Sequence, residues 1–353
     1  MRVIKAAFII AAILFAAVSA MADVSMGGQA RFYAMGGAGL ASIDNPSETA
    51  TMNPAAMGLL SKRVRFTLPN FGIRADGASV DDISKWANDI WDLSGTQGVE
   101  IAREFGTHDT TLDAGASTGI SGLSISAMLD GEARLKIIPN DEFKEFARTG
   151  NLPSDPSKME AVVWAEAAAS VPSISAGFKV PKFATGKGDL WIGARVRAVK
   201  GRYIRRTINW SGSNDPNNAL TTSSEPVKEE SGIGGDFGLI YRAPGKRQMS
   251  YGLAVTNLLK PSLGDIDQET IWNVGVSMQP TSKMVVVADI VNLTDAYDEG
   301  TDLRMGVEFR PVRWLGLRAG YTGHVLTTGV GVFGYDFAFA SETPLSISRT
   351  IRF

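Results

Sequence analysis

Apolar and polar residues alternate with period two through most of this chain. From Gln248 to Thr256, Met249, Tyr251, Leu253 and Val255 share one face against Ser250, Gly252, Ala254 and Thr256. Between Thr270 and Gln279, Trp272, Val274, Val276 and Met278 oppose Asn273, Gly275 and Ser277. Along Thr301 to Arg310, Leu303, Met305, Val307 and Phe309 oppose Asp302, Arg304, Gly306, Glu308 and Arg310. Successive side chains of a strand point to opposite faces, so each segment reads as a strand with one greasy face and one small or polar face. A soluble sandwich would carry more bulk inside and fewer glycines on its polar faces. The closing residues follow the same rule: Leu345, Ile347, Arg349, Ile351 and Phe353 share one register, Ser346, Ser348, Thr350 and Arg352 the other. Such a strand, stopping on an aromatic, suits the last strand of a membrane barrel.

Alternating segments fall near 63–75, 118–129, 132–138, 159–169, 173–180, 188–199, 202–210, 232–242, 248–257, 270–279, 283–292, 301–310, 313–321, 325–332, 334–341 and 345–353, sixteen in all. Their connections alternate in length. Asp130-Gly131, Lys200-Gly201, Ala243 to Arg247, Gln279 to Ser282 and Pro311-Val312 carry tight-turn chemistry. Excursions at 76–117, 139–158, 211–231, 258–269 and 293–300 join the other ends. Short turns on one side and long loops on the other are the habit of bacterial outer-membrane barrels, and an even count returns both termini to the short-turn, periplasmic side. Within the long excursions Val80, Ile83, Ala87 and Ile90 recur at helical spacing, Gln97 to Phe105 suggests a second short helix, and Asp141 to Arg148, with Phe143 and Phe146, a third. These helices either pack on the barrel rim or offer an apolar landing surface to a hydrophobic ligand outside the cell.

The fold class that follows is all-β, a transmembrane antiparallel β-barrel. A mean hydropathy of only +0.01 is compatible with it, because lipid-facing and lumen-facing residues average out. The 38 glycines, 15 prolines and 8% aromatics suit many strands and turns. At the start, Arg2 and Lys5 precede the charge-free apolar run Ala6 to Val18, and Ala20-Met21-Ala22 offers small residues for cleavage. Residues 1–22 are therefore expected to be a signal peptide cleaved between Ala22 and Asp23, sending the chain to the cell outer membrane of a Gram-negative bacterium. The apolar run is shorter than the ~20 residues of a spanning helix. Losing Arg2 and Lys5 moves the formal charge from -2 to -4, which speaks against a nucleic-acid partner. With no cysteine the chain has no disulfide, no lipid-anchoring thiol and no thiolate metal site.

Residues 23–60, ahead of a barrel spanning 61–353, break the alternation. They are rich in small residues, with Gly36, Gly37 and Gly39 permitting tight bends and Pro54 restricting both itself and Asn53. Such a segment either trails into the periplasm or folds up in the lumen. The run Arg31…Met35-Gly36-Gly37-Ala38-Gly39-Leu40-Ala41…Asp44…Asn53-Pro54-Ala55 resembles the opening signature of the FadL-type outer-membrane transport and PorV superfamily. Gly235 to Tyr241 followed by Leu253 to Leu258 looks closest to its TraF-like, conjugal-transfer branch. The resemblance implies about fourteen strands, fewer than the sixteen counted from alternation. It also implies a lumen hatch at 23–60, with Gly36, Gly37, Gly39, Asp44, Asn53, Pro54 and Ala55 forming the gate. Asn45 stands where the family often has a second acid, and Ala56-Met57 where Gly-Leu is common. The terminal strand, through Leu345, Ile347, Ile351 and Phe353, resembles the signal read by the barrel-assembly machinery. Outer-membrane lipid and lipopolysaccharide are the implied surroundings.

Motifs of chemistry are few. Gly115-Ala-Ser-Thr-Gly119 fits a nucleophile elbow, but a strand-like stretch follows where a helix is required. Gly329-Val-Gly-Val-Phe-Gly334 fits a phosphate-binding loop with no helix to receive the phosphate. His108 and His324 are the only histidines, and Asp295, Asp298, Glu299 and Asp302 miss EF-hand spacing. No catalytic residue, cofactor or metal site is therefore assigned. Arg195, Arg197, Arg304, Glu308, Arg310 and Arg318 fall on lumen-facing positions, where the arginines either guide an anion or pair with lumen acids. Two functions follow from the resemblance. One is passive transport of a hydrophobic or amphipathic small-molecule ligand past the hatch. The other is an interaction barrel that binds a protein partner in conjugal transfer or secretion.

Overall fold

The computed structural model describes residues 30–60, 65–76, 110–122, 124–181, 188–215, 219–222, 228–245, 248–260, 269–296, 300–323, 325–340 and 345–352. The strands are β1 (Arg65–Asp76), β2 (Thr110–Gly122), β3 (Ile125–Pro139), β4 (Glu160–Lys179), β5 (Asp189–Trp210), β6 (Leu220–Thr222), β7 (Lys228–Arg242) and β8 (Ser250–Leu259). They continue with β9 (Ile271–Thr281), β10 (Met284–Val291), β11 (Asp302–Val312), β12 (Leu315–Thr322), β13 (Val325–Val332), β14 (Tyr335–Ala340) and β15 (Leu345–Arg352). All pairings are antiparallel, and β1 pairs β15 at the seam where the chain's ends meet. Because β5 pairs β4 along one edge and β7 along the other, the ladder returns on itself. The short β6 shares β5's edge with β7, so fifteen strands less β6 make a ring of fourteen.

Two of the expected turns are not turns. Asp130-Gly131 lies inside β3 and Lys200-Gly201 inside β5, where Gly131 faces Ala116 and Ala169, and Gly201 faces Ala168. A polar residue followed by glycine satisfies a hairpin, but small residues opposite it let the ladder run straight through. β2 ends instead at Gly122 and β3 begins at Ile125, with Ser124 between them in the left-handed region at φ 64°. Likewise 159–169 and 173–180 are one strand, β4, whose register shifts between Ser170 and Ser173. That bulge absorbs Val171-Pro172 without ending the strand. Merging 159–169 with 173–180 into β4 and 188–199 with 202–210 into β5 reduces sixteen to fourteen, because the segments expected at 118–129 and 132–138 still give two strands, β2 and β3, with their boundary moved back to Ser124. At 22 residues, β5 is roughly 70 Å long at ~3.3 Å per residue. A barrel strand needs only about 9–11 residues to cross a bilayer, so β4 and β5 project beyond it on the long-loop side.

The faces are inverted relative to a soluble protein. Phe309, Leu326 and Trp272 point outward at 47%, 73% and 42% exposure, while Glu308 and Asp289 are buried inside at 0% and 1%. Closing the ring pairs the backbone polar groups that an open sheet would leave bare, the condition for a sheet to live in hydrocarbon. On the long-loop side, helix α3 (Asp141–Thr149) caps β3 and β4 and is itself capped by Asn140, whose Oδ1 accepts from Phe143 N at 2.9 Å. Phe143 and Phe146 are buried, edge to face. That is rim packing; these two rings do not form an outward landing surface. The helices expected at 80–105 lie outside the described residues.

Residues 30–60 occupy the lumen, and none of them is exposed. Helix α1 (Ala30–Tyr33) is followed by a reversal at Gly36 and Gly37, both left-handed at φ 72° and 75°. Helix α2 (Pro46–Met52) begins with a proline whose missing N–H costs nothing there. Asn53 then caps a 3-10 turn, Pro54–Leu59. Apolar side chains bind this segment to the wall in three places. Ala55, Ala56 and Met57 pack with Trp191 and Ile240, Phe32 and Met35 with Val285 and Val287, and Ala30 and Ala34 with Ala338.

Candidate functional site

The inner segment comes so close because glycines occupy the wall where its backbone approaches most nearly. Gly177 faces Gly193 and Gly193 faces Gly238 across three strands, and Gly306 faces Gly320 across two more. A Cβ on Gly193 would run into the backbone of Pro54, one on Gly238 into Asn53, and one on Gly320 into Met35 and Gly36. Backbone polar groups of the segment find partners on the wall at the same depth. Gly36 N donates to Thr327 Oγ1 at 2.9 Å, and Gly39 N and Leu40 N donate to Asp289 Oδ2 at 2.7 and 3.0 Å. The Asn53 amide donates to the carbonyls of Leu239 and Leu253, on β7 and β8, and its Oδ1 accepts from Ala55 N.

At the centre is a buried charge network. Arg31 Nη2 lies 2.5 Å from Asp44 and 2.7 Å from Glu308, and its Nη1 lies 3.3 Å from Glu48. Arg310 pairs with Asp44 at 2.6 Å and also with Glu308. Arg318 bridges Glu308 and Asp336, both at 2.7 Å. Thus Arg31, Asp44 and Glu48 from the segment are tied to Glu308, Arg310 and Arg318 of the wall. Burial works against the Arg31 charge, but Asp44, Glu308 and Glu48 outweigh it and hold the guanidinium protonated. Burial likewise opposes ionisation of Asp44, and Arg31 with Arg310 reverses that, lowering its pKa. Glu48 goes the other way: burial dominates, Arg31 only partly offsets it, and its pKa rises from 4.5 to about 7.

The six expected lumen residues are all engaged by protein groups. Arg195 donates to the carbonyls of Ala50 and Thr51 and to Ser175, Arg197 contacts Asp236 and Asn257, and Arg304 lies 3.5 Å from Asp302. Internal pairing, rather than a row of bare cations, describes them. All seven expected gate residues, Gly36, Gly37, Gly39, Asp44, Asn53, Pro54 and Ala55, lie in the inner segment against the wall. At the seam Ile351, Ile347 and Leu345 pair with Phe66, Phe71 and Ile73; Phe353 lies outside the described residues, as do His108 and His324. Ser117 sits in mid-strand of β2, and Gly329 sits in mid-strand of β13, paired with Arg318 and Ala338, rather than in a phosphate loop. Asp295 accepts from Gly300 N at 2.7 Å. Sequence reasoning did not single out Arg31, Glu48, Asp289 or Thr327, although Arg31 stood in the quoted motif. The available clue was glycine recurring on inward-facing strand positions, which marks a wall that another backbone approaches.

The fold and its filled lumen define a class: a fourteen-stranded transmembrane antiparallel β-barrel whose early chain lies inside it. Among solved structures, the toluene transporter TbuX of Ralstonia pickettii matches with a TM-score of 0.52 and 15% identity, over 92% of this chain and 97% of that one. The monoaromatic hydrocarbon channel CymD matches with a TM-score of 0.52 and 14% identity, over 95% and 99%. A deletion mutant of the monoaromatic hydrocarbon channel TodX matches at 0.50 and 12%, over 86% and 92%. At these identities what is shared is the fold, over nearly the whole chain. No family model and no curated protein matches the sequence.

Proposed function

We propose that this barrel is a passive outer-membrane conduit of FadL type for small hydrophobic or amphipathic molecules, gated by residues 30–60. The observation that carries the reading is the seating of that segment. It fills the lumen on a glycine-lined wall and is fastened by polar contacts, the Arg31 network, Asp289 and Asn53, beside three small apolar clusters. Such a plug can shift without unfolding the ring, whose own ladder does not depend on it. The solved neighbours are a toluene transporter and monoaromatic hydrocarbon channels, which supports an apolar cargo here. Partitioning into the barrel and consumption downstream supply the gradient, so no energy-coupling site is needed. Uptake decides the matter. A strain lacking this chain should lose permeability to labelled toluene or to a long-chain fatty acid, and expression of the full chain should restore it. Undiminished uptake of both compound classes in the deletion strain would overturn the proposal.

A further inference from the structure

Where helix α2 ends, two of its carbonyls lose their helical donors. The donor due to Ala50 O is residue 54, a proline with no N–H, and the donor due to Thr51 O is Ala55 N, which Asn53 Oδ1 takes instead. Arg195 of β5 supplies both: its Nη2 donates to Ala50 O and, at 2.8 Å, to Thr51 O. A cation placed there also meets the negative end of the helix. Arg195 is held in turn by Ser175 Oγ, which accepts from its Nε at 3.1 Å, and by Asp236 of β7, 3.7 Å from its Nη1. Asp236 is buried and also pairs with Arg197, at 3.4 Å.

What holds Asp236 is an irregularity in the neighbouring ladder. Gly235 faces Leu259 and Phe237 faces Val255, so three residues of β8 stand opposite Asp236 alone. The middle one, Asn257, is fully buried at φ 55°. A bulge of this kind re-aims the residues beside it, and glycine would adopt the same backbone angle at less cost. Asparagine adds an amide that is used on both sides. Towards β7, Asn257 N donates to Asp236 Oδ1 at 3.0 Å and its Oδ1 accepts from Arg197 Nη2. Towards β9, its Nδ2 donates to Glu269 O at 3.1 Å and its carbonyl accepts from Thr270 Oγ1 at 3.0 Å. Glu269 and Thr270 lead into β9 from the long-loop side. One residue thus joins the base of an outer loop to the acid that sets Arg195.

We propose that Asn257 is a positioning residue for the plug. It fixes Asp236, Asp236 fixes Arg195, and Arg195 seats the end of α2. The hold on the plug therefore depends on how β8 and β9 are joined at their outer ends. That a loosened α2 changes transport rests on the gating proposal; the seating itself does not.

Amide hydrogen exchange of the full chain, purified in detergent, reads the seating. Asn257→Gly keeps the backbone conformation and removes the amide. It should speed exchange of residues 48–57 about tenfold, the effect of losing one hydrogen bond to a charged group. Residues 36–40, held by Thr327 and Asp289, should exchange as in the native chain. Asn292→Gly is the control, because Asn292 is also buried, at φ 59°, and its side chain bonds Ala296 and Gly300 within its own loop. Arg195→Gln should speed the same amides as Asn257→Gly, and combining the two should add nothing, since both act through Asp236. Thr270→Val leaves Asn257 in place and should speed residues 48–57 about threefold, the effect of one neutral hydrogen bond; it also carries the test if Asn257→Gly does not fold. Native exchange of residues 48–57 in Asn257→Gly, the same acceleration in Asn292→Gly, or effects of Asn257→Gly and Arg195→Gln that multiply would overturn the positioning. Native exchange in Thr270→Val would overturn the link to the outer loop. Toluene uptake is measured separately: its loss in the deletion strain, with no exchange effect in these variants, removes this inference and leaves the conduit, and exchange effects without that loss do the reverse.

Discussion

Arg31 is a cation with almost no water around it, facing three carboxylates on two different parts of the chain. Removing one partner of a buried pair leaves the others uncompensated, at about 3–5 kcal/mol. Arg31→Ala should therefore unseat residues 30–60, seen as a large rise in their amide exchange while the strand amides stay protected; unchanged exchange would refute the latch. Glu48 gives the latch a pH dependence. The network holds Arg31, Arg310 and Arg318 against Asp44, Glu48, Glu308 and Asp336, one negative charge in excess when Glu48 is ionised. Its pKa in the seated form, about 7, lies above 4.5, so the seated form holds the proton more tightly than the released form. Seating is then strongest below about pH 4.5 and weakens as the pH rises to about 7. Asp44, shifted downward, contributes in the opposite sense and only at pH below the ordinary carboxylate range. Exchange of residues 36–60, corrected for its intrinsic pH dependence, should fall from pH 7.5 to pH 5 in the native chain and stay level in Glu48→Gln. At this scale the sequence was partly legible. Asp44 and Asn53 stood in a recognisable motif, but Glu48 follows Pro46-Ser47 like any helix-opening acid. Only the fold brings it within reach of an arginine and a wall carboxylate.

Strands and inner segment meet through missing side chains. Gly320 on β12 lies under Met35 and Gly36, so Gly320→Val should lift that bend and open a leak, read as raised conductance in planar bilayers. Gly212→Asn is the control, because nothing lies within 4 Å of a Cβ there. Equal conductance in native and Gly320→Val barrels would show that the bend does not close the pore. Alternation made most strand positions legible, since lipid on one face and lumen on the other impose period two. It failed at Asp130-Gly131, Lys200-Gly201 and Val171-Pro172 because turn residues speak only for the local chain. Whether a strand continues past them depends on what pairs beside it, and alanine opposite glycine does. The glycines at 193, 238, 306 and 320 were visible as small inward positions, yet what approached them was not, since their contacts are more than a hundred residues away.

The whole molecule is polar along the barrel axis: short, acid-poor turns at one end, long and largely acidic loops at the other. If both chain ends lie in the periplasm, α3 and the projecting halves of β4 and β5 stand outside the cell, and the β9–β10 turn stands in the periplasm. The absence of cysteine makes this directly testable, because any introduced thiol is the only one. Glu145 on α3 and Ser282 in the β9–β10 turn are both exposed, so both accept a reagent that reaches them. A membrane-impermeant maleimide added to intact cells should label Glu145→Cys and leave Ser282→Cys unmodified, and lysis should render both reactive. The same variants, solubilised without boiling, should migrate differently from boiled samples on a denaturing gel, since a closed ladder has no edge from which to unzip. Labelling of Ser282→Cys alone in intact cells would invert the barrel. Labelling of both sites in intact cells, with no heat-dependent mobility, would mean that the sheet does not close in the membrane at all.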